Sequence, residues 1–197
     1  MLPSIIFATN NAHKVEEVRA VLGGKFQVLP LKEAGIFQDI PEPHDTLEDN
    51  ALEKANTIFK LTGQSCFSED TGLEIEALQG RPGVRSARYA GDQANAAENT
   101  KLVLSQMEQL PNRKARFRTV IALILEGKTH LFEGICPGQI TTAETGEKGF
   151  GYDPIFIPEG ASQSFAQMTM DEKNMYSHRR KAMDKLISFL DNHYAQD

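Results

Sequence analysis

Residues 5–22 read IIFATNNAHKVEEVRAVL, and this stretch changes structural period halfway along. Ile5 to Ala8 is a short, fully apolar run rich in branched residues, the pattern of a buried strand. From Ala12 to Leu22 the apolar residues Val15, Val18, Ala20, Val21 and Leu22 fall mainly at helical spacing, and Gly23-Gly24 then supply a C-terminal stop. A buried strand feeding a helix is the opening unit of an α/β domain. Its junction leaves unpaired N–H groups aimed outward, with the positive end of the helix dipole behind them. Here the junction is Thr9-Asn10-Asn11, with Lys14 in the first turn and no glycine. Two readings stand side by side: a phosphate site, and a capped helix with a solvated lysine. Asn11 can take the left-handed conformation that usually calls for glycine, so the missing glycine does not decide between them.

Outward from that unit, Phe26 to Leu31 reads as a second strand, and residues 35–45 form a proline-punctuated loop. Thr46 is an N-cap with acidic residues behind it, opening a helix to about Leu61. SCFSEDTGLEIEAL (65–78) predicts a strand, a charged corner and an alternating strand. QGRPGVRSARYAGDQ (79–93) is a long glycine-rich loop, and a helix follows over about Ala94 to Gln109. Residues 115–140 predict a hairpin turning near Gly127-Lys128. GEKGFGYDPIFIP (146–158) is a glycine-rich turn feeding a short strand, and the last helix spans about Ser177 to Tyr194. Helices alternate with strands, and antiparallel strands then cluster. The expected fold is an α/β domain around a mixed sheet, with an inserted or appended lobe and a cleft between, the whole chain forming one domain.

At 197 residues the chain can bury a sizeable core. A formal net charge of −6 argues against a broad nucleic-acid footprint, while leaving room for a small basic pocket. Cys66 and Cys136 lie far apart in apolar runs, which reads as buried thiols in a reducing, cytoplasmic setting. The N-terminal apolar run is too short for a signal peptide, and no segment is expected to span a membrane.

Four polar clusters stand where loops meet regular elements. Beside the first junction, Ser68-Glu69-Asp70-Thr71-Gly72 is acidic, with Glu42 in the proline loop and Glu17 on the first helix. Carboxylates gathered beside a lysine can hold Mg²⁺ on phosphates and leave one to activate water; equally, EDTG is ordinary turn chemistry. Phe150-Gly151-Tyr152-Asp153 interleaves aromatics with glycine, which suits close approach to a flat ring or a turn with core aromatics. Asp153 can accept hydrogen bonds from a base edge. Lys173 and Ser177-His178-Arg179-Arg180 gather donors at a helix start, where Ser177 is an N-cap; a basic surface turn is the other reading. No G-x-x-x-x-G-K-[ST], H-E-x-x-H or G-x-S-x-G is present, so the surviving enzyme chemistry is Mg²⁺-assisted attack of water on a phosphoanhydride.

FATNNAHKVEEV, TLEDNALEKA, SEDTGLEIEAL, RPGVRSARYAG, GFGYDPIF and MDEKNMYSHRRKA stand together in order and spacing. On them the chain resembles, from about Ile5 to Leu190, the non-canonical purine NTP pyrophosphatases that act on inosine and xanthosine triphosphates. The resemblance implies an elongated mixed-sheet α/β fold of two lobes with a central nucleotide cleft, in a homodimer that uses Mg²⁺ to cleave ITP, dITP and XTP to monophosphate and pyrophosphate. It also implies the residue roles. Thr9, Asn10, Asn11, Ala12, His13 and Lys14 form the triphosphate edge, and Lys54 is a second phosphate-directed lysine. Glu42 is the metal-binding glutamate, with Glu48 and Asp49 as neighbouring alternatives. Asp70 is metal ligand and general base, and Thr71 touches substrate. Phe150, Gly151, Tyr152, Asp153, Lys173, Ser177, His178 and Arg179 form the purine pocket. Two departures are visible: Asn10 stands where many relatives have glycine, and Arg85 where an aromatic is common. A pyrophosphatase for another modified nucleotide, and a nucleotide sensor without catalysis, are the competing readings.

Overall fold

A computed structural model describes residues 3–22, 24 and 26–194. Gly23, half of the expected helix stop, lies outside the described residues. Strands are β1 (Ser4–Phe7), β2 (Gln27–Pro30), β3 (Cys66–Ile75), β4 (Pro82–Gly83), β5 (Lys114–Leu125), β6 (Lys128–Ile140) and β7 (Phe156–Pro158). Helices are α1 (Ala12–Leu22), α2 (Leu47–Thr62), α3 (Ala96–Met107), α4 (Met170–Tyr176) and α5 (His178–Tyr194). The seven strands form one mixed sheet in the order β2-β1-β3-β5-β6-β7, with β4 paired to β3. The chain therefore has the mixed α/β fold expected of it.

Two compact units partition the chain, and the divisions fall inside β3, β5, β6 and α5. The first comprises residues 1–70, 119–134 and 181–197. In it β1 pairs in parallel with β2 on one side and β3 on the other. Its core joins the strand residues Ile5, Phe7, Phe67, Ile121 and Leu123 to Val18 and Leu22 of α1 and Met183, Leu186 and Leu190 of α5. The helical residues recur every three or four positions, so one stripe of each helix meets the sheet.

The strand order 2-1-3 has a consequence for function. The connection after β1 leads to one side and the connection after β2 leads back across to the other. This places a topological switch point between the carboxyl ends of β1 and β3, where open α/β sheets hold ligands. In the register, Phe7 is opposite Phe67, so Ser68, Glu69 and Asp70 continue past the end of β1. The expected charged corner at 68–71 is instead the middle of one unbroken ten-residue strand.

The second unit comprises residues 71–118 and 135–180. Its core gathers Leu73, Ile75, Val103, Met107, Phe117, Tyr152, Phe156 and Phe165. Phe117 meets the edge of Phe156 at 4.7 Å between ring centroids. The β5–β6 hairpin turns through Glu126 and Gly127, both at positive φ (50° and 77°), the pairing that a two-residue turn of primed type requires. Where the sequence predicts one C-terminal helix there are two. Thr169 and Glu172 form a capping box that opens α4, and Ser177 closes α4 and caps α5 through a hydrogen bond from the Arg180 N–H.

Candidate active site

In the first unit, four elements converge on a cluster of two lysines and three carboxylates. α1 contributes Lys14. Its N-cap is Asn11, whose Oδ1 accepts the Lys14 N–H at 3.2 Å, while the Asn11 N–H donates to Thr9 Oγ1 at 3.2 Å. Asn10 Oδ1 accepts the Lys32 N–H, which ties the junction to the turn after β2. Among the described residues the non-glycine positions at positive φ are Gln79, Ala94 and Glu126. Asn10 and Asn11 thus hold the junction by side-chain hydrogen bonds rather than by a left-handed backbone. This junction makes no demand for glycine, and the Asn10 departure leaves the helix start intact. Thr9 to His13 are exposed or partly exposed around it, with the N–H groups of the first turn of α1 behind them. Arg85, the other departure, is exposed.

α2 contributes Lys54, which is 6% exposed. Its Nζ donates to Glu42 Oε1 at 2.5 Å, to the Glu69 carbonyl at 2.8 Å and to Asp70 Oδ1 at 3.2 Å. β3 contributes Asp70, 7% exposed, and Glu69, whose Oε1 lies 3.1 Å from Lys14 Nζ. A turn of this composition would be solvated; buried in a strand, these carboxylates persist because each has an ammonium group against it. Of the three glutamate and aspartate candidates in and after the proline loop, Glu42 is the one on Lys54. Asp49 accepts the Thr46 hydroxyl at the start of α2, and Glu48 is partly exposed in its first turn. Glu17 is buried on α1.

The electrostatics separate the roles. Burial lowers the proton affinity of Lys54, but the charges of Asp70 and Glu42 outweigh it, and the pKa is raised. Lys54 is therefore protonated throughout the neutral range. Asp70 also moves upward. Burial is the largest cause and the Glu42 charge adds to it, against the opposing pull of Lys54 and Lys14. A carboxylate above its ordinary range is a better proton acceptor near neutral pH.

The donor set is all oxygen. Glu42 and Asp70 meet on one ammonium group, so their carboxylates are close enough for one small hard cation. Mg²⁺ characteristically takes one or two carboxylates and completes its shell with water and phosphate oxygens. Among the described residues no group of three or more His, Cys, Asp or Glu forms a closed metal cage.

The second unit holds another cluster, built on the turn before β7 and on α4 and α5. Lys173 is 5% exposed. Its Nζ donates to Asp153 Oδ2 at 2.8 Å and lies 5.1 Å and 5.4 Å from the ring centroids of Phe150 and Phe165. Asp153 Oδ2 also accepts the Phe150 N–H at 2.9 Å. Gly149 lies at φ +74°, and a Cβ there would fall 2.1 Å from Asp153 Oδ2, so the turn closes only with glycine. Arg179 sits over the Phe150 ring at 5.5 Å, and the His178 imidazole stacks on Phe117 at 4.6 Å. His178 and Arg179 are 4% and 3% exposed, which replaces the surface-turn reading with a packed basic cluster.

Four expected pocket residues, Tyr152, Asp153, Gly151 and Ser177, have other engagements. Tyr152 lies in the core, where its hydroxyl donates to the Ser86 carbonyl at 2.7 Å, and burial pushes its pKa up. Phe150 is the half-buried aromatic of the pair. Asp153 meets Lys173 and the Phe150 amide, and this fixes the turn. Gly151 accepts from Thr100 Oγ1 at 3.4 Å, Ser177 is the helix cap, and Thr71 follows Asp70 along β3, partly exposed.

Sequence reasoning missed two positioning groups, Asn50 and Ser86, and placed Glu69 in the acidic run without a role of its own. Asn50 clamps the proline loop from α2, donating to the His44 carbonyl at 3.0 Å and accepting the His44 N–H at 2.9 Å. Ser86 accepts the Leu73 N–H and donates to the Gly83 carbonyl. Glu69 holds Lys14. The E-D-N-A run at the start of α2 hides Asn50 among ordinary first-turn residues, whereas an asparagine one turn inside a helix is a usable signal.

Residues 5–189 match the model of the Ham1 family. A dITP/XTP pyrophosphatase of Porphyromonas gingivalis is 50% identical over 190 residues, covering 96% of this chain and 98% of the relative. Another of Flavobacterium johnsoniae is 47% identical over 186 residues, covering 94% and 97%. Among solved structures, a HAM1 protein from Coxiella burnetii superposes with a TM-score of 0.89 at 35% identity, covering 98% of this chain and all of the other.

Proposed function

The chain belongs to the Ham1 family, and we infer that it hydrolyses non-canonical purine nucleoside triphosphates, releasing the monophosphate and pyrophosphate. ITP, dITP and XTP are its substrates, and its role is to remove deaminated purines from the nucleotide pool. The observation that carries the reading is the Lys14–Glu69 and Glu42–Lys54–Asp70 cluster at the switch point of a 2-1-3 sheet.

Lys14, Lys54 and the donors at Thr9, Asn10, Asn11, Ala12 and His13 bind the triphosphate. Asp70 accepts the proton of the attacking water as the α–β anhydride is cut. The two ammonium groups neutralise charge that grows on the leaving pyrophosphate. Three carboxylates face two lysines, so the cluster carries one excess negative charge and repels a triphosphate until a cation joins it. Glu42 and Asp70 would hold that cation, Mg²⁺, which when bound polarises phosphate oxygens and offsets their charge.

Phe150, Lys173, His178 and Arg179 read the purine, and Asp153, Gly151, Tyr152 and Ser177 support them. Hypoxanthine and xanthine present a 6-oxo acceptor, whereas adenine presents a 6-amino donor. Setting a buried donor against a donor costs about 1–3 kcal/mol, or about ten- to hundredfold per contact. The enzyme is a cytoplasmic homodimer in this reading, and the buried thiols of Cys66 and Cys136 support the reducing compartment.

Asp70→Asn tests the assignment. It is expected to lose most turnover of ITP while still binding it, and turnover equal to the parent would remove Asp70 from the mechanism. A protein that binds ITP with Mg²⁺ yet releases no pyrophosphate would instead be the sensor.

A further inference from the structure

In the proposed chemistry Glu69 counts only as one of three negative charges, yet both phosphate-directed lysines terminate on it. Its carboxylate meets Lys14 Nζ at 3.1 Å and its carbonyl accepts from Lys54 Nζ at 2.8 Å. We propose that Glu69 is a positioning residue that holds the Lys14 ammonium in place for the triphosphate, an inference that rests on reading Lys14 and Lys54 as the phosphate-binding pair.

The asymmetry of burial carries the argument. The Glu69 side chain is 1% exposed and that of Lys14 is 18% exposed, so the carboxylate lies behind the ammonium and the ammonium faces outward. An ammonium has three donors, and one directed at Glu69 leaves the others for phosphate oxygens. Swinging Lys14 away to a substrate would break a 3.1 Å ion pair to a buried carboxylate, so the favourable state has Lys14 bridging Glu69 and phosphate at once. A lysine stem is long and loses much rotamer freedom on binding. Fixing it beforehand removes that cost from the bound state. The support is rigid, because Glu69 lies inside β3, an interior strand of the sheet, and not on a loop.

The test is a double-mutant cycle between Glu69→Gln and Lys14→Ala, read as kcat/KM for pyrophosphate release from ITP and from ATP with Mg²⁺. Glu69→Gln is expected to lower kcat/KM about tenfold in the parent. In the Lys14→Ala background it should lower it less than about twofold, and the ITP-to-ATP ratio should not change in either. Equal losses in both backgrounds, or no loss in the parent, would overturn the proposal, since a merely structural role does not vanish when Lys14 is absent. Should Glu69→Gln fail to fold by circular dichroism, Glu69→Asp keeps the charge and shortens the reach. Its loss of about threefold should likewise disappear without Lys14, and an additive or absent loss would overturn the proposal. Parent protein that releases no pyrophosphate from ITP refutes the pyrophosphatase reading; active parent with an additive cycle refutes only the role of Glu69.

Discussion

Replacing Lys54 by methionine removes the one cation shared by two carboxylates and a carbonyl, while keeping most of the apolar stem. The ammonium lies 2.5 Å from Glu42 and 3.2 Å from Asp70, and the three side chains differ in how far water can compensate for its loss. The Glu42 side chain is 31% exposed and regains hydration, whereas Asp70 is 10% exposed and does not. Breaking a buried pair costs about 3–5 kcal/mol, and the half-solvated Glu42 places this case at the lower end, about 3 kcal/mol. For a chain of this size each kcal/mol moves Tm by about 2–4 °C, giving a fall of about 6–12 °C.

Lys54 lowers the pKa of Asp70, so its removal pushes that pKa further up, and at low pH the carboxyl takes a proton instead of remaining as an unpaired charge. The loss of Tm should therefore be larger at pH 8 than at pH 5. Thermal unfolding followed by circular dichroism in metal-free buffer measures both. Lys60→Met, on the exposed face of the same helix, is the control and should cost under about 1 kcal/mol. A Lys54→Met variant within about 2 °C of the parent at pH 8 would refute the claim that this ammonium neutralises buried charge.

Asp70→Asn should move stability in the opposite direction. The Asp70 pKa is higher in the folded chain than its ordinary value of 3.8, so the folded state binds its proton more tightly and stability falls as pH rises through that window. Metal-free Asp70→Asn should match or exceed the parent Tm at pH 7, with the difference shrinking toward pH 4; a clearly lower Tm at pH 7 would contradict the direction. Burial pushes the Cys66 thiol up to about 12, and Cys136 is 1% exposed. Both should resist a thiol reagent at pH 8 in the native protein and react once denaturant is added, and rapid labelling of the native protein would contradict their burial.

The regular elements were legible in the sequence where local chemistry and tertiary packing agree. Thr46 as the cap of α2 and the strand-to-helix opening rest on short-range hydrogen bonds that the sequence spells out, and the hairpin expected to turn near Gly127-Lys128 turns one residue earlier, at Glu126-Gly127. The SEDT run reads as a corner because its composition is that of a turn, yet it lies inside β3. What keeps it a strand is the charge brought by Lys14 and Lys54 from two helices, which no local window contains. α4 is only seven residues long, too short for a periodic pattern, although its capping box at Thr169 and Glu172 was available as a signal. Of the site residues, those that carry charge are legible by type, whereas the clamping role of Asn50 and the role of Glu69 behind Lys14 are not. Their partners are a backbone amide and carbonyl for Asn50 and a lysine far away in the chain for Glu69.

The most direct measurement of the central claim is kcat/KM for pyrophosphate release from ITP, XTP, dITP, dUTP and ATP, side by side, with Mg²⁺ and with a chelator. The proposed function predicts pyrophosphate as the product and a preference for the 6-oxo purines over ATP of about tenfold or more, with activity lost on chelation. Equal rates for ITP and ATP would contradict the purine-reading role of Lys173, His178 and Arg179, and a preference for dUTP would assign the chain another substrate. No pyrophosphate from any of the five would contradict the account as a whole.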